Sequence, residues 1–369
     1  MNTKETKTKN RIVYYDAIKV LAIYLVCIYH YNNLNSNILI NQNFETWINY
    51  FFAGFSSMGV PLFFMVNGSL LLNKSYKLRN HFNKTLCLYI LCFLWSFISL
   101  SFFILSQGST YSFKGLLFAV FYLSEPGINN HLWFLQALIA IYLLFPIIKQ
   151  IYDSPQQKIL YWFSFIVFIF SFGNLFLNTL VNSIDFIFGW DYIPSDSFNF
   201  FPVINPLGNY YYGSFYFILG GLLSKRVSTN QIYISKKILL ISFCIAAFTL
   251  FLYGVIMTYS NHSIYDTVWN GYSSVMTLLM SISTFIFLAQ INYINENVNH
   301  FFRIISSNTF GIYLIHRFVG ATTIPHLKAL ILGGSLPVNI LYGFLVMLSS
   351  LLIVLIIKNV PLLRKIVEL

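Results

Sequence analysis

Charged residues are scarce in this chain. Lysine, arginine, aspartate and glutamate together make up 9% of its 369 residues, whereas 57% are hydrophobic and the mean hydropathy is +0.69. A water-soluble domain carries roughly 25% charged residues. Because so few charges cannot cover a surface that faces water, the composition excludes an ordinary soluble protein and predicts an integral membrane protein.

Cysteine is also rare, and several familiar site signatures are missing. The four cysteines lie within apolar runs and form no spaced pair, which favours buried free thiols over disulfides or metal ligands. No His-x-x-x-His or Cys/His spacing predicts a metal site. The sequence holds neither a Walker loop nor a Gly-x-Ser-x-Gly elbow. We therefore expect no metal, no bound nucleotide of the Walker type and no serine hydrolase of that class.

Long apolar runs fill most of the chain, and barrel strands of alternating polarity are absent. Each run approaches the ~20 residues that a helix needs to cross the hydrocarbon. The predicted fold class is an all-α, polytopic transmembrane helical bundle of about ten spans, in a single membrane domain over residues 1–369 with no appended soluble domain. The predicted spans are 12–31, 50–73, 85–106, 131–149, 159–180, 208–224, 238–260, 271–292, 304–321 and 337–357. A short apolar piece, 113–124, would make an eleventh.

The positions of the basic residues predict orientation. With the N-terminus in the cytoplasm, 18 of the 22 lysines and arginines fall in cytoplasmic segments, and the exceptions are Lys19, Lys114, Arg317 and Lys328. This bias predicts two cytoplasmic termini and a multi-pass protein of the cytoplasmic membrane. Since the charge sits in short clusters between apolar runs, the net charge of +11 does not indicate a nucleic-acid partner.

The first span carries polar residues that a lipid-facing helix would avoid. Lys19 and His30 are eleven positions apart, which places them on one helical face roughly 16 Å apart. Asp16 lies one turn before Lys19, close enough to pair with it. One interpretation is a polar stripe that faces a cavity. The other is an Asp16–Lys19 ion pair that docks the helix, together with an interfacial histidine.

Two further histidines belong to distant spans at the same predicted depth. His131 opens the fourth span, and His316 lies near the outer end of the ninth beside Arg317. Each histidine alone is also typical of an interfacial hydrogen-bonding residue. Together with His30, they predict a convergent site near the outer surface.

Four motifs in the same order resemble the acyltransferase family 3 membrane proteins of bacteria. Lys19 and His30 fit the basic-x10-His hallmark of the first span. The other three are "GVPLFFMVNGSLLL" (59–72), "HLWFLQALIAIYLLFP" (131–146) and "SSNTFGIYLIH" (306–316). Proteins of this family O-acylate polysaccharides, peptidoglycan and other extracytoplasmic acceptors. The motifs cover nearly the whole chain.

The chain also departs from the family pattern. Many members have glutamate three positions after the leucine of Trp-x-Leu, whereas Leu135 here is followed by Gln136, Ala137 and Leu138. The chain is instead similar to a His-Leu-Trp-Phe-Leu branch that includes enterobacterial common antigen O-acetyltransferases. The Arg-x-x-Arg pair that often enters the third span is replaced by Lys77, Arg79 and Lys84.

The resemblance implies a reaction across the membrane. The donor would be acetyl-CoA or another acyl-CoA from the cytoplasm, used as a substrate and not as a permanently bound cofactor. The acceptor would be a hydroxyl of an extracytoplasmic glycan. Lys77, Arg79 and Lys84 would bind the phosphates of the donor, and Lys19 would lie deeper, near its pantetheine arm or beside Asp16.

The same resemblance assigns roles at the outer end. His30 would act as general base or carry the acyl group itself, since histidine titrates near neutral pH. His316 and Tyr313 would donate hydrogen bonds to the oxyanion or the acceptor. The remaining candidates for acceptor binding are Asp16, His131, Trp133 and Arg317. Trp133 would stack on a sugar ring or belong to an interfacial tryptophan belt. Arg317 would bind an anionic acceptor group, or would be a topology or lipid-headgroup contact.

A transporter or flippase for a polysaccharide or lipid-linked sugar is the competing hypothesis. Aromatic-rich spans with a few buried polar residues fit that class as well. Transporters of this kind usually show inverted repeats with helices broken at matching positions. No such internal symmetry is present in the sequence.

Overall fold

The computed structural model describes residues 11–31, 37–107, 112–122, 131–189, 210–291, 295–331 and 334–368. These ranges form fifteen α-helices and contain no strand. The helices are α1 (Val13–Tyr31), α2 (Phe44–Ala53), α3 (Gly59–Leu72), α4 (Leu78–Gln107), α5 (Phe113–Tyr122), α6 (Trp133–Tyr152), α7 (Gln157–Phe168), α8 (Asn174–Phe188), α9 (Tyr212–Ser228), α10 (Lys236–Ser260), α11 (Val275–Ala289), α12 (Glu296–Ser306), α13 (Thr309–Ile331), α14 (Leu336–Lys358) and α15 (Pro361–Val367).

The all-helical membrane fold predicted from composition is confirmed. Within the described ranges, seven helical stretches are long and apolar enough to cross a membrane: Val13–His30, Phe44–Leu72, Leu78–Ser106, Trp133–Tyr152, Gln157–Phe188, Lys236–Ser260 and Leu336–Lys358. The other three predicted spans coincide with α9, α11 and α13. The number of spans and the cytoplasmic position of both termini stay predictions. Residues 1–10, with Lys4, Lys7 and Lys9 of the N-terminal basic cluster, and the side chain of Lys328 lie outside what the structure describes.

The helices differ from the predicted spans at several boundaries. The second span begins earlier, at Phe44, because the Asn43 side chain caps the helix by accepting from the Thr46 amide at 2.8 Å. A 3-10 turn, Gly54–Met58, then joins α2 to α3. The predicted span 304–321 is divided between α12 and α13, which meet at residues 307–308. Within the short apolar piece 113–124, residues 113–122 form α5, and the last two lie outside the described residues.

Helix α1 occupies a central position in the bundle. It packs against α3, α11, α12, α13 and α14. Its side chains Ile18, Ala22, Ile23 and Cys27 are fully buried, at 0% exposure. Because other helices surround α1, its polar residues lie against protein and not against a continuous lipid surface.

Two glycines allow α3 and α9 to cross at very short distance. A Cβ atom added at Gly68 would lie 1.7 Å from the backbone oxygen of Phe217, and one added at Gly220 would lie 2.0 Å from that of Met65. Small residues permit such backbone contact between membrane helices. The hydroxyl of Ser69 strengthens this crossing by donating to the Gly220 carbonyl at 2.8 Å.

We expect Gly68→Ala to destabilise the bundle strongly. The added methyl group meets backbone, which cannot rotate away, so α3 and α9 must separate, at a cost of about 1–3 kcal/mol or more. Thermal unfolding of detergent-solubilised protein, followed by fluorescence-detected gel filtration, measures the loss. Gly54→Ala is the matched control, because its Cβ would meet Leu250 Cδ2 at an ordinary 3.5 Å. Equal melting temperatures for the two variants would contradict the prediction.

Candidate active site

The structure brings together the three histidines from distant parts of the sequence. His30 lies on α1, His131 immediately precedes α6, and His316 lies on α13. The ring centroids of His30 and His316 are 5.2 Å apart, and those of His131 and His316 are 5.7 Å apart. His316 is fully buried and His131 is 2% exposed. The result is a compact imidazole cluster, with His316 in its centre.

Backbone contacts determine the tautomer of His316. Its Nδ1 lies 2.6 Å from the carbonyl oxygen of Tyr313, one turn earlier on α13. A carbonyl only accepts hydrogen bonds, so Nδ1 carries the proton and Nε2 of the neutral ring carries a lone pair. Nε2 is buried and has no hydrogen-bond partner among the described residues. His316 therefore presents a proton acceptor to the cluster.

Arg317 fixes His30 in the opposite tautomer. Its Nη1 lies 3.0 Å from Nδ1 of His30. A guanidinium only donates, so Nδ1 of His30 is the acceptor and the proton of the neutral ring is on Nε2. Two adjacent rings thus offer complementary groups, an N–H donor on His30 and a bare nitrogen on His316.

Tyr313 and His131 are joined directly. The Tyr313 hydroxyl donates to the backbone carbonyl of His131, and the two rings lie 5.6 Å apart. Since that hydroxyl is already engaged, its first role in this structure is to position the segment that carries His131. Tyr313 is 6% exposed.

An aspartate that the sequence analysis did not select completes the outer side. Tyr29 donates to Asp266 Oδ2 at 2.6 Å, although 237 positions separate them. Asp266 Oδ1 accepts from the amides of Val268 and Trp269 at 2.9 and 3.0 Å. Asp266 thereby ties the loop 261–274 to α1 beside His30. The sequence of this loop can predict an Asx turn at Asp266. No sequence signal predicts that Asp266 contacts Tyr29.

At the other end of the stripe, Asp16 does not pair with Lys19 as expected. Its carboxylate accepts from Arg11 at 2.6 and 2.7 Å and from the Ser306 hydroxyl at 2.5 Å. Arg11 and Ser306 approach the carboxylate in good geometry, whereas Lys19 takes part in none of the four ion pairs of the described residues. We name this cluster the Arg11–Asp16–Ser306 tie, and it joins α1 to the end of α12.

Comparison with known protein families shows the family to which this chain belongs. A family model described as an acyltransferase domain, that of acyltransferase family 3, matches residues 12–358. This chain belongs to acyltransferase family 3. Neither the curated proteins nor the solved structures compared with it include a match. The resemblance seen in the four motifs is confirmed, and the His-Leu-Trp-Phe-Leu branch stays a prediction.

Membership makes the chain a membrane-embedded acyltransferase, with an acyl donor and an acceptor as its substrates. All four motif segments lie within the matched range. The enzyme class expected from the resemblance is therefore confirmed, in place of the transporter hypothesis. Which residues perform the transfer is the subject of the proposals below.

The predicted donor-binding residues of this acyltransferase form an exposed basic group. Lys77 immediately precedes α4, and Arg79 and Lys84 lie in its first turns, all three exposed. A second pair of cations escaped the sequence analysis, which treated them only as topology signals. The Nζ atoms of Lys149 and Lys225 lie 5.9 and 5.7 Å from the centroid of the Tyr152 ring. Lys149 also pairs with Asp153.

Trp133 is enclosed by other aromatic rings. Its centroid lies 4.9 Å from that of Tyr210, 5.4 Å from that of Trp269 and 5.5 Å from that of Tyr272. Trp133 is only 9% exposed, whereas Trp269 is 45% exposed. The ring that this aromatic cluster offers to an incoming molecule is therefore that of Trp269.

Proposed function

We propose that this acyltransferase moves an acetyl group from cytoplasmic acetyl-CoA to a hydroxyl of a glycan outside the bacterial cytoplasmic membrane. The observation that carries the proposal is the pairing of a bare imidazole nitrogen on His316 with an imidazole N–H on His30, in rings 5.2 Å apart. Acyl transfer to a hydroxyl needs one group that accepts the hydroxyl proton and another that stabilises the oxyanion. O-acetylation of a cell-envelope polysaccharide fits these groups.

His316 would act as the general base. The acceptor oxygen attacks the thioester carbonyl carbon while its proton passes to Nε2 of His316. The tetrahedral intermediate then collapses, the C–S bond breaks, and the imidazolium returns the proton to the departing sulfur. The products are an O-acetyl ester and free CoA. This assignment gives His316 the role of general base, which the family resemblance implies for His30.

His30 would stabilise the oxyanion. Its Nε2–H donates to the carbonyl oxygen as negative charge develops there. Arg317 acts on this step through His30, because its guanidinium holds Nδ1 as an acceptor at 3.0 Å. In a two-step reaction, Nε2 of His316 would instead attack the thioester and carry the acetyl group before the acceptor arrives.

The donor would reach the histidines from the opposite side of the bilayer. Lys77, Arg79 and Lys84 are exposed cations that suit the phosphates of CoA. Lys19, on the same face of α1 as His30 and roughly 16 Å from it, would lie along the path of the pantetheine arm.

The triple variant Lys77→Ala/Arg79→Ala/Lys84→Ala is expected to raise the KM for acetyl-CoA and to leave kcat for CoA release nearly unchanged.

The direct test is release of free CoA from acetyl-CoA by the purified protein in nanodiscs, with crude cell-envelope glycans as acceptor. We expect release by the wild type and a loss of about 10²- to 10³-fold in His30→Ala, because an oxyanion donor is removed. His300→Ala is the matched control, since His300 is exposed on α12, away from the cluster.

Different results of this assay would contradict different parts of the proposal. Equal release by wild type and His30→Ala would remove His30 from the chemistry. No release with acetyl-, succinyl- or longer acyl-CoA would overturn the proposed donor. Acetyl label that stays on the protein when the acceptor is omitted would establish the two-step route through an acyl-histidine.

A further inference from the structure

A large cavity lies beside the aromatic cluster on the predicted outer side. Its volume is about 670 Å³, within the usual range for small-molecule sites. It is bounded by α8, by the end of α10, by the loop 261–274 and by the start of α9. None of the candidate site residues predicted from the sequence lines it.

The walls of this cavity are polar but uncharged. Tyrosine and tryptophan rings alternate with asparagine amides, including Tyr210, Trp269, Asn178, Asn261 and Asn270. No lysine, arginine, histidine, aspartate or glutamate lines it in the part of the chain that the structure describes. Burial raises the pKa of the Tyr265 phenol, another lining group, so this hydroxyl also stays neutral.

This chemistry suits an uncharged sugar. Flat aromatic faces pack against the C–H faces of a pyranose ring, and amides donate and accept the hydrogen bonds that hydroxyls require. An anionic ligand would find no cation among the wall residues that the structure describes. Arg317, the candidate that the sequence suggested for an anion, does not line the cavity and donates to His30 at 3.0 Å.

Two residues that line the cavity also pack against residues near the histidines in the sequence. Trp269 and Tyr210 line it and also pack on Trp133, at 5.4 and 4.9 Å between centroids. Trp133 follows His131 by two positions. Trp269 also donates its amide to Asp266, which binds Tyr29 next to His30. Residues that line the cavity are therefore linked, through Trp133 on one side and through Asp266 and Tyr29 on the other, to the segments that carry His131 and His30.

We propose that this cavity is the acceptor subsite and that it binds an uncharged sugar, with Trp269 as its stacking surface. The proposal rests on the acetyl transfer proposed above and specifies the class of its acceptor. An acidic sugar would bind more weakly, because its carboxylate would lose water without gaining a cation.

Binding without the donor tests this proposal separately from catalysis. Saturation-transfer NMR on nanodisc-embedded protein would compare tri-N-acetylchitotriose, a neutral probe, with a hyaluronan tetrasaccharide, which carries glucuronate. We expect a saturable signal for the neutral probe that exceeds that of the acidic one. Trp269→Ala should weaken neutral binding about two- to tenfold, as the loss of one ring contact predicts.

Two further variants make the result decisive. Trp162→Ala is the matched control, because Trp162 is 64% exposed on α7 and does not line the cavity. Asn270→Ala removes an amide in place of a ring and should weaken binding in the same direction. Unchanged binding in Trp269→Ala and Asn270→Ala, equal binding of the acidic probe, or no binding of the neutral probe would overturn the proposal. CoA release that persists in any of these cases would leave the acetyl transfer standing.

Discussion

Replacing His316 by glutamine should lower kcat for CoA release by about 10²- to 10⁴-fold, because the amide cannot take a proton from the acceptor hydroxyl. The same replacement at His30 should cost about tenfold or less, since a glutamine NH₂ group can still donate to the oxyanion. The two rings lie only 5.2 Å apart, yet the hydrogen bonds of their Nδ1 atoms favour the different roles that we propose for them. The measurement is steady-state CoA release in nanodiscs at saturating donor and acceptor.

The comparison of the two glutamine variants distinguishes the general base from the oxyanion donor. His300→Gln controls for the substitution itself, because His300 is exposed on α12. Gel filtration and thermal unfolding of each variant show whether the bundle remains intact. If His30→Gln were the more damaged enzyme, the roles of base and donor would be reversed, and the tautomers would have to change when substrate binds.

Loss of Arg317 should produce the second large effect. In Arg317→Met the Nδ1 atom of His30 loses its donor at 3.0 Å, so the ring is free to adopt the other tautomer. A hydrogen bond from a charged donor contributes about 1.5–3 kcal/mol, which corresponds to about a ten- to hundredfold fall in kcat. Arg317→Gln should recover part of this loss, because its amide can still donate to Nδ1.

The split between kinetic constants distinguishes positioning from acceptor binding. A residue that only orients His30 changes kcat and leaves the KM for the acceptor nearly constant. Arg303→Met, an exposed arginine at the end of α12, is the matched control. A rise in acceptor KM with unchanged kcat would show that Arg317 binds the acceptor and does not act through His30.

The helices were largely predictable because the bilayer imposes a simple rule. A run of about 20 apolar residues is long enough to cross the hydrocarbon, and every predicted span overlaps at least one helix of the described residues. Helix α12 was missed because much of its surface is polar, as in "ENVNHFFRIIS". The junction at residues 307–308 was missed for a related reason, since hydropathy does not register a change of direction within an apolar window.

The candidate site was predictable only in part. Depth along each span placed His30, His131 and His316 at one level, and the structure joins them. The hydrogen-bond partners of these side chains could not be predicted, because they depend on packing between helices that are remote in sequence. Asp16 illustrates this: proximity in sequence favoured Lys19, but Arg11 and Ser306 take its carboxylate, the latter from 290 positions away. Tyr29 and Asp266 were missed for the same reason.

The Arg11–Asp16–Ser306 tie has a mechanical consequence. It joins α1 to Ser306 at the end of α12, shortly before α13 begins, and Arg317 joins α1 to α13 itself at His30. Because contacts join these helices near both ends of α1, we expect the separation between the imidazoles of α1 and α13 to stay nearly constant. On the α6 side, His131 meets α13 through the Tyr313 hydroxyl. We expect any widening that admits a thioester to occur on that side, with the proposed alignment of His30 and His316 preserved.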